Sequence, residues 1–355
     1  MNTYSFKALK GGIREYISIL IAIYTIYDEL SVINDLNHLY NKLDNTNNID
    51  ELNDIKDSII RIQDEVIINT DKKIIKDYSK LDRDLTDREI DLIDRGYSKE
   101  DIINYSGYSL DTFKIIGDVI INHISKSCNK VNNPICIFVG GQPGCGKSTN
   151  SLKLKEAFLE NGAIEIGIDN FRPYHPNYLE IERIIKKHWE GRIQTDNDSP
   201  GNDFADFTHK FAGDMTDYLV DYFTNTLGDK YNLIIEWGMR TPNEPLKMMK
   251  ILKDIGYKNI VNFVVVYKEE SYNACVLRAD VMDGLEHVVR RIPRYFHDLC
   301  VNTLPDSCNT IFKEGYVNNK YIDQFILISR DGEVIWDIDN KYEPGIIYNK
   351  YLNNK

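Results

Sequence analysis

Gly141-Gln142-Pro143-Gly144-Cys145-Gly146-Lys147-Ser148 follows an apolar run at 135–139 and precedes a stretch, 149–159, of helical pattern. The eight residues fit G-x-x-x-x-G-K-[ST], a phosphate loop. Its glycines let backbone N–H groups turn inward on nucleotide phosphates, its lysine reaches the outer phosphates, and its hydroxyl holds Mg²⁺. The flanks give the match its weight: a strand feeding a glycine-rich turn and then a helix sets phosphate at a helix N-terminus, where free N–H groups and the macrodipole favour negative charge. A glycine-rich turn with a chance lysine has no reason to carry both flanking elements. Gly141, Gln142, Pro143, Gly144, Cys145, Gly146, Lys147, Ser148 and Thr149 are therefore the expected nucleotide-binding residues, with Ser148 as the expected Mg²⁺ ligand.

Downstream, apolar runs recur at 164–168, 233–235, 260–266 and 325–329, separated by helical stretches such as 245–256. Runs buried on both faces and alternating with helices predict a parallel sheet sandwiched by helices, an α/β fold. Ligands in such sheets sit beyond the carboxyl ends of the strands, which makes the residues there the candidates for chemistry. After the second run comes Asp169-Asn170-Phe171-Arg172-Pro173-Tyr174-His175-Pro176. An aspartate in that place can take a proton from an acceptor hydroxyl or bind Mg²⁺ through water; the plainer role is to cap a turn before two prolines. The position, where this fold puts ligands, favours the functional role. After the third run comes Glu236-Trp237-Gly238-Met239-Arg240-Thr241-Pro242, with an acid where a Walker B acid is expected. Glu236 can orient substrate or the water shell of the metal, and Arg240 can hold an anion; a surface pair between the two serves equally well. Arg278, Arg290, Arg291 and Arg294 make a basic constellation. Guanidinium groups converging on a γ-phosphate stabilise the charge of phosphoryl transfer. Asp280, Asp283 and Glu286 among them also fit a solvated helical face, and His287 and His297 lack ligand spacing.

The first 130 residues read differently. Ile13, Ile17, Leu20, Ile21 and Tyr24 recur at helical spacing, as do Ile33, Leu36, Leu39 and Leu43, and a polar, Asn-rich loop at 44–50 leads to a long helical pattern at 51–81. Shorter elements follow. A segment at 85–95 stops at Gly96, Ser98 to Asp101 has a capping-box pattern with Asp for Glu, and Gly107 precedes a second cap at Ser109. This cadence resembles a helix-turn-helix, yet its last helix, 110–125, has Lys114 beside Asp111 and Asp118 and cannot neutralise several phosphates. An all-α domain at 1–130, a polar linker at 126–134 ending in Pro134, and an α/β domain at 131–355 are the expected organisation.

Composition supports that division. At 355 residues the chain is longer than most single cores. Its net charge is −12, with 17 basic and 23 acidic groups in residues 1–130 and 26 and 32 in the rest, so neither half offers a nucleic acid a basic face. The six cysteines show no metal spacing and read as reduced, cytoplasmic thiols. The apolar run at 16–27 is too short to span a bilayer and ends in Asp28-Glu29 in place of a signal cleavage site, so no membrane association is expected.

In motif order, residues 134–330 resemble the zeta toxins of bacterial toxin–antitoxin systems, which are P-loop kinases of UDP-N-acetylglucosamine. The resemblance is carried by the phosphate loop at 141–148, Asp169…His175-Pro176, Leu233-Ile234-Ile235-Glu236…Arg240-Thr241, the turn at 253–257, and His297-Asp298…Leu304-Pro305. It implies a P-loop kinase fold with ATP and Mg²⁺ held by Lys147 and Ser148, and Asp169 as the base for the 3′-hydroxyl of the N-acetylglucosamine moiety. It further implies Glu236, Arg240, Arg172 and His175 in the substrate cleft, and Arg278 with Arg290 on the transferred phosphate. The Asp169 turn and the Arg278 to Arg290 spacing are each one residue shorter than the family's usual form, which leaves Arg291 open for the second role. Such an enzyme is a toxin that interferes with cell-wall synthesis and is blocked by a helical antitoxin, acting in trans or, here, in cis through residues 1–130. Two alternatives stand beside it: a kinase for another metabolite, such as a nicotinamide dinucleotide, and a nucleotide-sensing switch without phosphoryl transfer, which needs no base at Asp169.

Overall fold

A computed structural model describes residues 13, 17, 20–21, 30–46, 48–69, 83–126, 128–157, 161–195, 198–225, 230–282 and 291–353. The chain divides into two compact units, neither of them one continuous stretch: Met1–His123 with Phe171–Gly213 and Arg278–Arg291, and Ile124–Asn170 with Asp214–Leu277 and Ile292–Lys355.

The second unit holds one six-stranded sheet. Its strands are β1 (Ile135–Gly140), β2 (Ile164–Gly167), β3 (Leu233–Glu236), β4 (Lys258–Val264), β5 (Gln324–Ile328) and β6 (Val334–Trp336), in the order β2-β3-β1-β4-β5-β6. All neighbours are parallel except β5 and β6. The apolar runs become strands because burial on both faces rewards consecutive apolar side chains: five of the six residues of β1 are buried. Helix α9 (His209–Asn225) precedes β3 and α10 (Asn243–Asp254) follows it, and the turn at 253–257 ends α10 and reverses the chain into β4. Gly256 takes a positive φ of 94°, Tyr257 N donates to Leu252 O, and Lys253 pairs with Asp323 at 2.5 Å while Asp323 also accepts from Asn259 N. That motif is a staple between helix and sheet.

Among its described residues the first unit has helices joined by turns and no strand. Helices α1 (Leu30–Asn45) and α2 (Ile49–Asn69) pack with Ile13, Ile17 and Leu20 into a core of their own, in which Leu36, Leu39, Leu43, Leu52, Ile55 and Ile59 are buried. The rest of the run at 16–27, and the long helical pattern beyond Asn69 as far as residue 81, lie outside the described residues. Next come α3 (Asp87–Asp94), α4 (Lys99–Tyr105) and α5 (Leu110–Ser125). Ser98 and Ser109 cap as their sequence pattern predicts, accepting from Asp101 N and Thr112 N. A capping box at Thr86 and Glu89, which the sequence reading passed over, starts α3.

Residues 83–105 do not share the core of α1 and α2. Leu92, Tyr97 and Ile102 close on Ile181 and Ile185 of α7 (Tyr178–Trp189) and on Phe207 of α8 (Pro200–Phe207). Beside this apolar cluster lies an ionic one. Arg95 reaches both Asp203 and Asp206, Arg88 donates to Asp206 at 2.6 Å, and the fully buried Asp203 also accepts from Tyr97 Oη at 2.6 Å and Trp189 Nε1 at 2.7 Å. The sequence boundary at 126–134 therefore separates stretches that the fold joins, because 171–213 completes the core of 83–105.

Candidate functional site

In the sheet unit, β1 ends at Gly140 and α6 (Lys147–Ala157) opens at the lysine of the motif. Gly144 sits at φ 73°, and a Cβ there would lie 2.0 Å from the carbonyl oxygen of Ser271, a backbone atom that cannot swing aside. Only glycine permits so close an approach. Lys147 folds back over the loop and donates from Nζ to Gly141 O at 3.0 Å and Gln142 O at 3.1 Å, which holds its charge at the mouth of the loop.

Register brings the acids to the same edge. Glu236 is the last residue of β3 and pairs with Val139 on one side and Gly167 on the other, so it stands level with the start of the loop. The Ser148 hydroxyl donates to Glu236 Oε2 at 3.2 Å. A hydroxyl and a carboxylate side by side are oxygen donors suited to a hard divalent cation, which they would hold together with phosphate oxygens and water. Asp169 is exposed in the single helical turn Ile168–Phe171, two residues past Gly167, beyond the carboxyl end of β2. Phosphate loop, Glu236 and Asp169 thus occupy the carboxyl edge of three adjacent strands.

Arg330, just past β5, was not among the residues picked from the sequence. Its guanidinium donates to Gly144 O at 2.5 Å and Cys145 O at 3.4 Å and pairs with Glu270 at 2.7 Å. Its place at a strand's carboxyl end is readable in advance; its partners are not. Cys145 is fully buried, and that burial pushes its thiol up, away from reactive thiolate.

The remaining candidates fall elsewhere. Arg172 and His175, which the resemblance sets in the substrate cleft, are interior residues of the helical unit, 6% and 1% exposed. Arg172 spends its guanidinium on Ala205 O at 2.6 Å, Thr208 Oγ1 at 3.4 Å and the His209 ring at 3.4 Å. His175 Nδ1 accepts from Asn177 N at 3.1 Å, its ring packs 5.0 Å from that of Phe211, and burial pushes its pKa down to about 3. These contacts tie both side chains into the helical unit. Arg240 is exposed after β3, and Arg278 is exposed on α11 (Lys268–Met282). Arg291 is half-buried, and Arg290 lies outside the described residues. Arg294 is committed to a forked pair with Glu269 at 2.9 and 2.5 Å, to Asp298, and to the face of Tyr272. Among the described residues no group of three or more His, Cys, Asp or Glu side chains forms a metal cluster, and no helix is long and apolar enough to cross a membrane.

The model of the zeta toxin family matches residues 120–341. The chain is 29% identical to Toxin PezT of Streptococcus pneumoniae over 188 residues, 53% of this chain and 67% of that protein. It is 28% identical to Toxin zeta of Enterococcus hirae over 190 residues, 52% of this chain and 58% of that protein. The match thus spans between somewhat over half and about two thirds of these curated relatives. A solved structure from the PezAT chromosomal toxin–antitoxin system of S. pneumoniae superposes with a TM-score of 0.58 at 23% identity, covering 71% of this chain and 90% of the other, a likeness of fold.

Proposed function

The chain belongs to the zeta toxin family, and from that premise we propose that it is the toxin kinase of a bacterial toxin–antitoxin system, moving the γ-phosphate of ATP to the 3′-hydroxyl of the N-acetylglucosamine moiety of UDP-N-acetylglucosamine in the cytoplasm. The observation that supports this reading most is the convergence of Lys147, the Ser148–Glu236 pair and Asp169 on one sheet edge. A nucleotide-binding switch needs the first two; an acid poised across the edge is what an acceptor hydroxyl needs.

The chemistry assigns a task to each group. Asp169 accepts the proton of the acceptor hydroxyl as its oxygen attacks the γ-phosphorus, the bond from that phosphorus to the β–γ bridging oxygen breaks, and ADP leaves. Lys147 moves from the loop carbonyls to the outer phosphates and offsets their charge. Ser148 would hold Mg²⁺, with Glu236 orienting its water shell; when bound, the ion neutralises charge on the phosphate oxygens. Arg278, with Arg290 or Arg291, stabilises the transferring group, and Arg240 holds the acceptor's phosphates. An antitoxin partner, in trans or supplied by the N-terminal helices, belongs to the same reading.

The full chain, incubated with Mg·ATP and a panel of sugar nucleotides and dinucleotides, is expected to add one phosphate to UDP-N-acetylglucosamine as read by mass spectrometry. Phosphorylation of another acceptor with this one untouched contradicts the substrate assignment.

A further inference from the structure

Phosphate binding explains the glycines, Lys147 and Ser148, but it does not require a glutamine as the second residue of the loop. Gln142 has no exposed surface. Its side chain turns away from the loop mouth into the sheet unit, where Nε2 donates to Val266 O at 2.6 Å and lies 3.5 Å from Ser271 Oγ, while Oε1 accepts from Tyr348 Oη at 2.8 Å. Tyr348 is fully buried on the helix α13 (Pro344–Asn353). Ser271 Oγ in turn donates to Lys268 O at 2.9 Å and lies 2.9 Å from His297 Nε2, both side chains again without exposed surface. His297 stands on α12 (Arg294–Ile311), in the His297-Asp298 motif to which the chemistry gives no task.

Four buried polar side chains are costly unless paired, and apolar residues would fill the space at lower cost. What hydrogen bonds add over apolar packing is direction. This group bonds the loop at Gln142 through its amide, and the backbone of the same Ser271 packs so closely on Gly144 that no side chain fits there. Pro143, between Gln142 and Gly144, has no N–H, so the amides that can face phosphate begin at Gly144 and run on into α6, while the Gln142 carbonyl is one of the two that receive Lys147.

We propose that Gln142, Ser271, His297 and Tyr348 form a frame behind the phosphate loop that fixes its shape for the nucleotide, as positioning residues that act through the loop backbone. The inference rests on the kinase reading only for the identity of the ligand. It assigns α13, at the far end of the sequence from the loop, a part in nucleotide affinity.

The test uses the full chain and Mg·ATP. Tyr348→Phe and Ser271→Ala each remove a single hydroxyl, so both keep the packing volume. Each is expected to raise the Kd for Mg·ATP by calorimetry five- to twentyfold and to raise KM for ATP far more than it lowers kcat, with no change in acceptor KM. Gln142→Met, which keeps volume and loses every bond of the amide, weakens affinity further, and adding Tyr348→Phe to it has no additional effect, because the hydroxyl has already lost its acceptor. A residue that serves stability alone lowers the melting temperature without that pattern. Kd within twofold of wild type in both hydroxyl variants overturns the frame. Lys147→Ala, run alongside, separates the two readings: if it weakens Mg·ATP binding while the hydroxyl variants do not, the frame alone falls, and if it too leaves affinity unchanged, the phosphate-loop assignment falls with it.

Discussion

The residues that distinguish this molecule's interior from its reactive edge are both polar. Lys147 and Ser148 keep their groups at the loop mouth, whereas His175 is held neutral by burial, with a pKa near 3 that the Ser106 backbone and Glu89 only partly oppose. An ordinary histidine titrates near 6.5, so between about pH 6.5 and 3 the unfolded chain binds the proton that the folded one refuses. The stability contributed is present above pH 6.5 and is lost as pH falls toward 3, on the order of 5 kcal/mol across the window. The slope of unfolding free energy against pH from 6.5 to 4 is therefore expected to be steeper in the wild type than in His175→Gln; equal slopes would mean that another group sets it. The phosphate loop was legible because its chemistry constrains residue type and spacing together. The contacts of Arg172 were not legible, because a basic side chain looks the same in sequence whether it faces phosphate or, as here, the carbonyl of Ala205.

Elements were legible where burial imposes a pattern. Strands β1 to β5 lie within two residues of the apolar runs that announce them, while β6 is three residues at the sheet edge, with Val334 58% exposed, and carries no such pattern. Which helices share a core was not legible, since Ile181, Ile185 and Phe207 show an apolar face without saying that Leu92, Tyr97 and Ile102 cover it. The buried ion pairs make this junction testable. Asp203→Ala removes the partner of Arg95 and the acceptor of Tyr97 and Trp189, and leaving a largely buried guanidinium with one partner fewer costs about 3 kcal/mol. A drop of that size in the unfolding free energy, read from a lowered denaturant midpoint at an unchanged m-value, is the expected result; a change under about 0.5 kcal/mol, typical of exposed pairs, would contradict it.

At the scale of the whole molecule, the proposal that residues 1–130 restrain the kinase in cis is best tested by removing only part of them. Residues 83–105 complete the core around α7 and α8, so a chain beginning at residue 131 exposes Ile181, Ile185 and Phe207, whereas one beginning at 83 keeps them covered and removes α1 and α2 with their separate core. If α1 and α2 restrain the enzyme, the chain from 83 phosphorylates faster or with a lower KM for ATP than the full chain and harms a bacterial host more; equal activity and equal toxicity at matched expression leave those helices without that role. Whether the molecule transfers phosphate at all turns on Asp169. The most direct measurement is the rate at which labelled γ-phosphate passes from ATP to UDP-N-acetylglucosamine in the wild type and in Asp169→Asn, with Mg·ATP affinity determined for both. The account predicts affinity within a few-fold and a transfer rate lower by two or more orders of magnitude in the variant; a variant that transfers phosphate as fast as the wild type contradicts it.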